Sequence, residues 1–215
     1  MSEFNALGFK KETQSMYELD MLVDFMIENN VLVFCEIGSY AGTTLQYVHK
    51  FLREAFGPEA PLVFVSVELP VNMSAFNNLN SLVIPEIRTD SNTEFHLFVG
   101  NSTAPDIVES VHTVMDDWWN TPFRAEMGKS LVFIDGEHSY RQSRDDYRAY
   151  KDFFDFVAFN DVSPRTSQKQ IAKHNHDVAT VYHLFDAITL DMPLDSYTMW
   201  DDLQATNPRG IGVLL

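Results

Sequence analysis

The 215-residue chain has little cysteine, little positive charge and no long hydrophobic run. Cys35 is its single cysteine, so the chain can form no intramolecular disulfide and no cysteine-rich zinc site. It has 15 lysine and arginine residues against 31 aspartate and glutamate residues. The resulting formal charge of −16 opposes nonspecific binding to nucleic acid or to an anionic membrane. No run of about 18 apolar residues occurs, so no membrane-spanning helix is predicted.

The first residues, M-S-E-F-N-A-L-G-F-K-K-E, lack the basic segment and apolar core of a secretory signal. We therefore expect a cytoplasmic protein. With 45% hydrophobic and 21% charged residues, the chain has the composition of one globular domain. Small molecules or cationic groups are the partners that its charge favours.

The most informative stretch is residues 31–44, V-L-V-F-C-E-I-G-S-Y-A-G-T-T. Its apolar run predicts a strand buried in a parallel sheet, and Glu36 closes that strand. Gly38 and Gly42 bracket a turn that needs close backbone approach or positive φ, and Thr43 or Thr44 can cap a helix over residues 45–56. A strand, an acid, a glycine turn and a helix predict a nucleotide-type pocket at the carboxyl end of the first strand.

The spacing of the glycines indicates which nucleotide cofactor fits. The dinucleotide fingerprint G-x-G-x-x-G is absent, and no lysine or arginine lies between Val31 and His49. A carboxylate such as Glu36 repels a phosphate, but it suits the sulfonium, ammonium and ribose hydroxyls of S-adenosylmethionine (SAM). The same glycine spacing also occurs in ordinary strand-to-helix packing, which remains the alternative.

Strand and helix patterns alternate along the rest of the chain. The prediction is an α/β, Rossmann-like three-layer α/β/α sandwich, with a mostly parallel seven-stranded sheet and an antiparallel edge strand. Residues 1–30 are expected to form an N-terminal arm and helix that act as a lid or a packing element, and residues 31–215 the main domain. Predicted strands are 31–36, 62–67, 95–99, 131–134, 156–159, 196–200 and 211–215. Predicted helices are 14–28, 45–56, 104–115, 144–154 and 178–190, and residues 71–92 are expected to form a broken helix and a loop.

The ends of the second and third strands carry further candidate cofactor contacts. Glu68 ends the second strand, where this fold presents a carboxylate to ribose hydroxyls; the alternative is a solvated loop acid. Asn101 and Ser102 follow the third strand and could hydrogen-bond an adenine edge, or they could form only a turn and a helix cap. The acidic pair at Asp145 and Asp146 is predicted to lie on a solvated helix face.

Oxygen-bearing side chains also end the fourth and fifth strands. The fourth runs into Asp135 within I-D-G-E-H-S-Y, and the fifth delivers Asn160 and Asp161. Because the carboxyl ends of parallel strands share one rim, these groups could hold a divalent cation. Asp135 could otherwise be a turn or cap acid, and His138 a hydrogen-bonded turn histidine.

Over residues 31–162 the sequence resembles the class I SAM-dependent methyltransferases. Within them it is similar to the metal-dependent O-methyltransferases related to the macrocin and mycinamicin sugar methyltransferases, and to the cephalosporin-hydroxylase-like group. The resemblance is carried by E-x-G after the first strand, by I-D-G-x-H-x-Y after the fourth, and by an acid after the next. It departs from the family at Asn160, where relatives usually have an acid.

The resemblance implies a SAM-dependent O-methyltransferase that acts on a hydroxyl of a small molecule, such as a sugar or a glycosylated metabolite. It makes His138 and Asp135 the catalytic residues, with His138 as the base. It places magnesium on Asp135, Asn160 and Asp161. It assigns Glu36, Gly38 and Gly42 to the methionine end of SAM and Glu68 to its ribose. Together with the positions named above, the candidate SAM-binding residues are Glu36, Gly38, Ser39, Gly42, Thr43, Glu68, Asn101, Ser102 and Asp135. The alternatives are an amine or peptide acceptor, or a non-catalytic binding or assembly protein; a homo-oligomer is possible in either case.

Overall fold

The computed structural model of the chain describes residues 15–120, 128–165, 180–202, 204 and 209–215. The arm expected before the predicted helix at residues 14–28 lies outside this part of the chain, as do residues 166–179. No helix among the described residues is long and apolar enough to cross a membrane.

A seven-stranded sheet with the strand order β3-β2-β1-β4-β5-β7-β6 forms the centre of the fold. Strands β1 to β5 are parallel to one another, and β7 runs antiparallel to both of its neighbours, β5 and β6. The predicted Rossmann-like sheet with an antiparallel edge is confirmed, and its antiparallel strand lies second from that edge. The strands are β1 (Val31–Ile37), β2 (Leu62–Glu68), β3 (Thr93–Val99), β4 (Lys129–Ile134), β5 (Phe156–Asn160), β6 (Tyr197–Trp200) and β7 (Ile211–Leu214).

Helices cover both faces of the sheet, as a parallel sheet requires. They are α1 (Met16–Glu28), α2 (Thr43–Phe56), α3 (Met73–Asn78), α4 (Ile84–Arg88), α5 (Pro105–Trp119), α6 (Tyr140–Tyr150) and α7 (Val181–Thr189), with a π-helical turn at Leu79–Val83. Helix α1 begins with a capping box, in which the Ser15 side chain accepts from the Glu18 N–H and the Glu18 carboxylate accepts from the Ser15 N–H. It packs into the core through Leu19, Leu22 and Met26, which are fully buried.

The segment after β2 differs from its prediction. Instead of a broken helix and a loop, α3, the π-helical turn and α4 follow one another without interruption. The Asn72 side chain caps the start by accepting from the N–H groups of Ser74 and Ala75. Pro85 lies directly after the π-helical turn, inside this continuous helical run, where it cannot donate a backbone hydrogen bond. Burial of Leu79, Val83, Ile84 and Ile87 then outweighs the low helix propensity of the asparagines.

Candidate active site

A cleft of about 500 Å³ opens at the carboxyl ends of β1, β2, β4 and β5. Its volume lies within the usual range of small-molecule sites, about 300–1,000 Å³. Most of the predicted site residues line it: Glu36, Gly38, Ser39, Thr43, Glu68, Asn101, Ser102, Asp135, His138 and Asn160. Gly42 and Asp161 were also predicted, and they lie behind the cleft surface rather than on it.

The two glycines after β1 have different roles. Gly38 has a φ of +91°, and a Cβ there would stand 2.6 Å from the Asp135 carbonyl oxygen, so only glycine lets the β1 and β4 loops touch. Gly42 is the N-cap of α2 with a φ of +78°, and a Cβ there would collide with the side chain of Leu79. The prediction that a threonine caps α2 was therefore wrong, and Gly42 serves helix packing.

Glu36 is a buried acid with unfilled hydrogen-bonding capacity. It accepts hydrogen bonds from the side chains of Ser39 and Thr44, yet no donor among the described residues reaches its Oε2 atom. Burial, helped by the negative charge of Asp135, raises the pKa of Glu36 well above its usual range. A cationic or hydrogen-bond-donating ligand in the cleft would satisfy this carboxylate.

Glu68 is buried rather than solvated. Its Oε2 atom accepts the backbone N–H of Tyr40 at 2.7 Å, and Tyr40 takes a left-handed φ of 48°, which is uncommon for a residue other than glycine. Burial raises the pKa of Glu68, although the Tyr40 N–H opposes that rise. The carboxylate is thus held at the cleft surface by the turn that follows β1.

The loop after β3 connects the cleft to α6. Asn101 forms a turn, because its Oδ1 atom accepts from the N–H of Thr103, while Ala104 is the N-cap of α5. The Ser102 hydroxyl donates to Asp146 Oδ1 at 2.5 Å, and the Gln142 amide donates to the same oxygen at 3.1 Å. Both Ser102 and Gln142 line the cleft, and their hydrogen bonds to Asp146 hold their side chains in position.

Asp146 is only 1% exposed, so its prediction as part of a solvated helix face was wrong. Burial raises its pKa to about 6. The charged run R-D-D-Y-R makes α6 look exposed on all sides in the sequence. The pattern that could have indicated its buried face is the i, i+3, i+7 spacing of Ser143, Asp146 and Tyr150, all of which are buried.

His138, Asp161 and Arg209 form a connected group at the β5 side of the cleft. His138 Nδ1 lies 3.0 Å from Asp161 Oδ2. Arg209 Nη1 lies 3.1 Å and 3.3 Å from the two Asp161 oxygens. Asp161 is fully buried and has a left-handed φ of 64°, whereas the His138 side chain is 41% exposed. Asp161 therefore holds the His138 and Arg209 side chains from behind the cleft surface.

The electrostatics of this group follow from its contacts. Burial alone would raise the pKa of Asp161, but the neighbouring His138 and Arg209 lower it below its usual value. For His138, burial favours the neutral ring, but the hydrogen bond to Asp161 and the charges of Asp135 and Asp161 raise its pKa. Sequence reasoning missed Arg209, because it follows β6 in a turn-rich segment with no local pattern.

Asp135 and Asn160 pair with each other at the same rim. Asn160 Nδ2 donates to Asp135 Oδ1 at 2.6 Å. Burial raises the pKa of Asp135 to about 6, although the charge of His138 opposes the rise. The Asn160 Oδ1 atom is buried and has no hydrogen-bond partner among the described residues.

The three predicted magnesium ligands do not form an oxygen cage of the kind that magnesium prefers. The Asp161 carboxylate contacts the His138 ring and the Arg209 guanidinium, and the Asn160 amide presents its NH₂ group to Asp135. Within the described ranges, no group of three or more histidine, cysteine, aspartate or glutamate side chains is arranged to hold a metal ion. The arrangement does not fit the predicted metal.

Several solved structures with the same fold are O-methyltransferases. The chain is similar to the O-methyltransferase TomG from Streptomyces achromogenes, involved in tomaymycin synthesis and solved with SAM (15% identity; 94% of this chain and 81% of that one; TM-score 0.61). It is also similar to an O-methyltransferase from Bacillus cereus in complex with S-adenosylhomocysteine (SAH) (12% identity; 98% of this chain and 86% of that one; TM-score 0.60).

A third similar structure is CalS11, a TDP-rhamnose 3'-O-methyltransferase of calicheamicin biosynthesis (16% identity; 93% of this chain and 78% of that one; TM-score 0.55). No protein-family model matches the chain, and no curated protein is significantly similar to it in sequence. At these identities, the similarities establish a shared Rossmann-like methyltransferase fold.

Proposed function

We propose that this protein is a SAM-dependent O-methyltransferase that moves a methyl group to a hydroxyl of a small molecule. The observation that carries the proposal is an acid-lined cleft at the carboxyl ends of the strands, with an aspartate-held histidine on its wall. The fold is shared with TomG and the Bacillus cereus enzyme, whose structures contain SAM and SAH.

The cleft offers complementary groups along its length to SAM. The unpartnered oxygen of Glu36 suits the sulfonium or ammonium of the methionine end, beside Gly38 and Ser39. We assign Glu68, at the end of the second strand, to the ribose hydroxyls. Asn101, Ser102 and Gln142 offer hydrogen bonds to the adenine edge. Bound SAM supplies a methyl carbon activated by the sulfonium, so the chain has to orient the acceptor and take its proton.

His138 is the group that we assign to proton removal. Its Nδ1 atom is held by Asp161, which leaves Nε2 as the ring nitrogen for the acceptor hydroxyl. Asp161 fixes the ring orientation and stabilises the imidazolium that forms when the proton arrives, as a buried aspartate does behind a catalytic histidine. Asp135 shares this rim and adds negative charge that favours the protonated ring.

The acceptor class is proposed from two kinds of observation. CalS11, which shares the fold, acts on a nucleotide sugar, and a sugar hydroxyl or glycosylated metabolite is our first candidate. Four carboxylates line the cleft, namely Glu36, Glu68, Asp135 and Glu137. This lining favours a cationic acceptor as the second candidate, which would make the reaction an N-methylation of an amine or peptide group.

The test is SAH formation from SAM with a panel of sugar, phenol and amine acceptors, measured by mass spectrometry. His138→Gln should lower kcat/KM by about 10² or more, with SAM affinity unchanged, because general-base catalysis contributes about 10²–10⁴. His96→Gln is the matched control, since His96 pairs with Glu94 on β3 and lies outside the cleft lining.

The pH profile adds an independent readout. Because the base must be neutral and its pKa is raised, the wild-type rate should climb with pH through an acid limb above about 6.5. His138→Gln should lack that limb. Full turnover in His138→Gln would remove the base assignment, while saturable SAM binding without transfer to any acceptor would indicate a non-catalytic protein.

A further inference from the structure

We infer that Arg209 is the resident cation of this active site and that it replaces the divalent metal expected from the sequence. The inference rests on the proposed methyltransferase function. Arg209 lines the cleft together with Asp135, His138 and Asn160. Its guanidinium reaches both oxygens of Asp161, the carboxylate predicted to bind magnesium.

The contacts of Asp161 leave little room for a metal ion. One side of the carboxylate faces His138 Nδ1 at 3.0 Å, and Arg209 Nη1 lies within 3.3 Å of both oxygens. A divalent ion at Asp161 would have to displace the guanidinium or stand beside it. Since like charges repel strongly at such short range away from bulk water, the arginine and the metal are alternatives for this position.

Arg209 is held in place by its own backbone. Its N–H donates to Glu18 Oε1 at 3.2 Å, and its carbonyl accepts from the N–H of Ser163 at 2.8 Å. Gly210, the next residue, has a φ of +74°, and a Cβ there would stand 2.7 Å from the nitrogen of Ser163. The close approach of these two segments, which glycine permits, brings the arginine to Asp161, the residue directly after β5.

An arginine at this position can do part of the chemistry expected of a metal. Its guanidinium stays protonated in proteins, so it places a permanent positive charge beside Asp161. The Arg209 side chain is 22% exposed and lines the cleft, so this charge acts on an acceptor bound there. A fixed positive charge of this kind stabilises negative charge that develops on the acceptor oxygen.

The transfer step balances without a metal. The acceptor O–H proton goes to Nε2 of His138, and a bond forms between the acceptor oxygen and the methyl carbon. The carbon–sulfur bond breaks, and its electron pair goes to the sulfur. Arg209 stays protonated throughout and lowers the cost of charge on the oxygen.

The experiment has one arm that needs no acceptor. Manganese is titrated into the protein, with and without SAM, and free manganese is followed by electron paramagnetic resonance. We expect no saturable binding to the wild type. Saturable wild-type binding that disappears in Asp161→Asn would overturn the inference, whether or not methyl transfer is ever detected. This arm therefore separates failure of the inference from failure of the proposed function.

The second arm measures methyl transfer with magnesium or with EDTA. Wild-type turnover should be the same in both, and Arg209→Gln should lower kcat by about 10² or more, with SAM affinity unchanged. Arg209→Lys keeps the charge and should recover part of the loss. Arg148→Gln, on the exposed face of α6, is the matched control and should be unaffected. Loss of turnover in EDTA with recovery in magnesium, or full turnover in Arg209→Gln, would contradict the inference.

Discussion

Removal of Glu18 should destabilise the protein far more than removal of another acid on the same helix. The Glu18 side chain is fully buried, and its Oε1 atom accepts backbone N–H groups from Asp202, Arg209 and Gly210 at 3.3, 3.2 and 2.9 Å. Its Oε2 atom accepts the N–H of Ser15 at 3.3 Å. One carboxylate thus joins α1 to the segment that carries Arg209.

The magnitude follows from the donors that Glu18→Ala would leave without a partner. A buried, unsatisfied N–H costs about 1–3 kcal/mol, and Gly210 is buried, whereas Ser15, Asp202 and Arg209 are partly exposed and can regain water. Relief from burying a carboxylate, whose pKa burial has raised, offsets part of the loss. We expect a net loss of about 2 kcal/mol for Glu18→Ala. Glu18→Gln keeps the accepting oxygen and should lose less than about 1 kcal/mol.

The assay is urea unfolding followed by tryptophan fluorescence at pH 7. Glu28→Ala is the control, because Glu28 is an exposed acid at the end of the same helix. Its effect should be close to zero. A loss for Glu18→Ala no larger than that for Glu28→Ala would refute the view that this carboxylate anchors the Arg209 segment.

Two further predictions concern Gly38 in the cleft and the buried Asp146. Gly38→Ala should weaken SAM binding at least about tenfold, because its Cβ would meet the Asp135 carbonyl oxygen at 2.6 Å; this corresponds to about 1.4 kcal/mol or more. Gly57→Ala separates collision from backbone strain, since Gly57 has a φ of +82° but an added Cβ there meets nothing within 4 Å; equal SAM affinity of the two variants would count against the loop contact. Asp146→Asn should stabilise the protein by about 2 kcal/mol at pH 8 but hardly at pH 4. Burial raises the pKa of Asp146 from 3.8 to about 6. Between these two pH values the folded chain binds a proton at Asp146 that the unfolded chain has lost, so the stability of the wild type falls as the pH rises through this range. Urea unfolding at both pH values checks this, and an equal effect at both would contradict it.

The strands and the cleft-facing strand ends could be predicted from the sequence, because buried parallel strands are short apolar runs. Every residue of β1 and β2 is buried, and each strand includes an acid at or near its end. An acid in an otherwise apolar strand is costly unless a ligand or partner uses it. For this reason Glu36, Glu68 and Asp135 could be predicted as site residues from the sequence alone.

The remaining site depends on contacts between distant segments. Arg209 reaches Asp161 only because β7 inserts beside β5, and nothing local in its own segment indicates that position. Asp146 looked solvated because the surface charges of α6 surround it. The helical segment after β2 looked broken because its asparagines and Pro85 have low helix propensity, which burial of its apolar face outweighs.

The central claim is that the cleft at the carboxyl ends of the strands binds SAM, and isothermal titration calorimetry of the wild-type protein with SAM tests it most directly. The account predicts saturable binding of one SAM per chain, with NAD giving no binding heat in a parallel titration. Absence of SAM binding, or saturable binding of NAD at the same site, would contradict it.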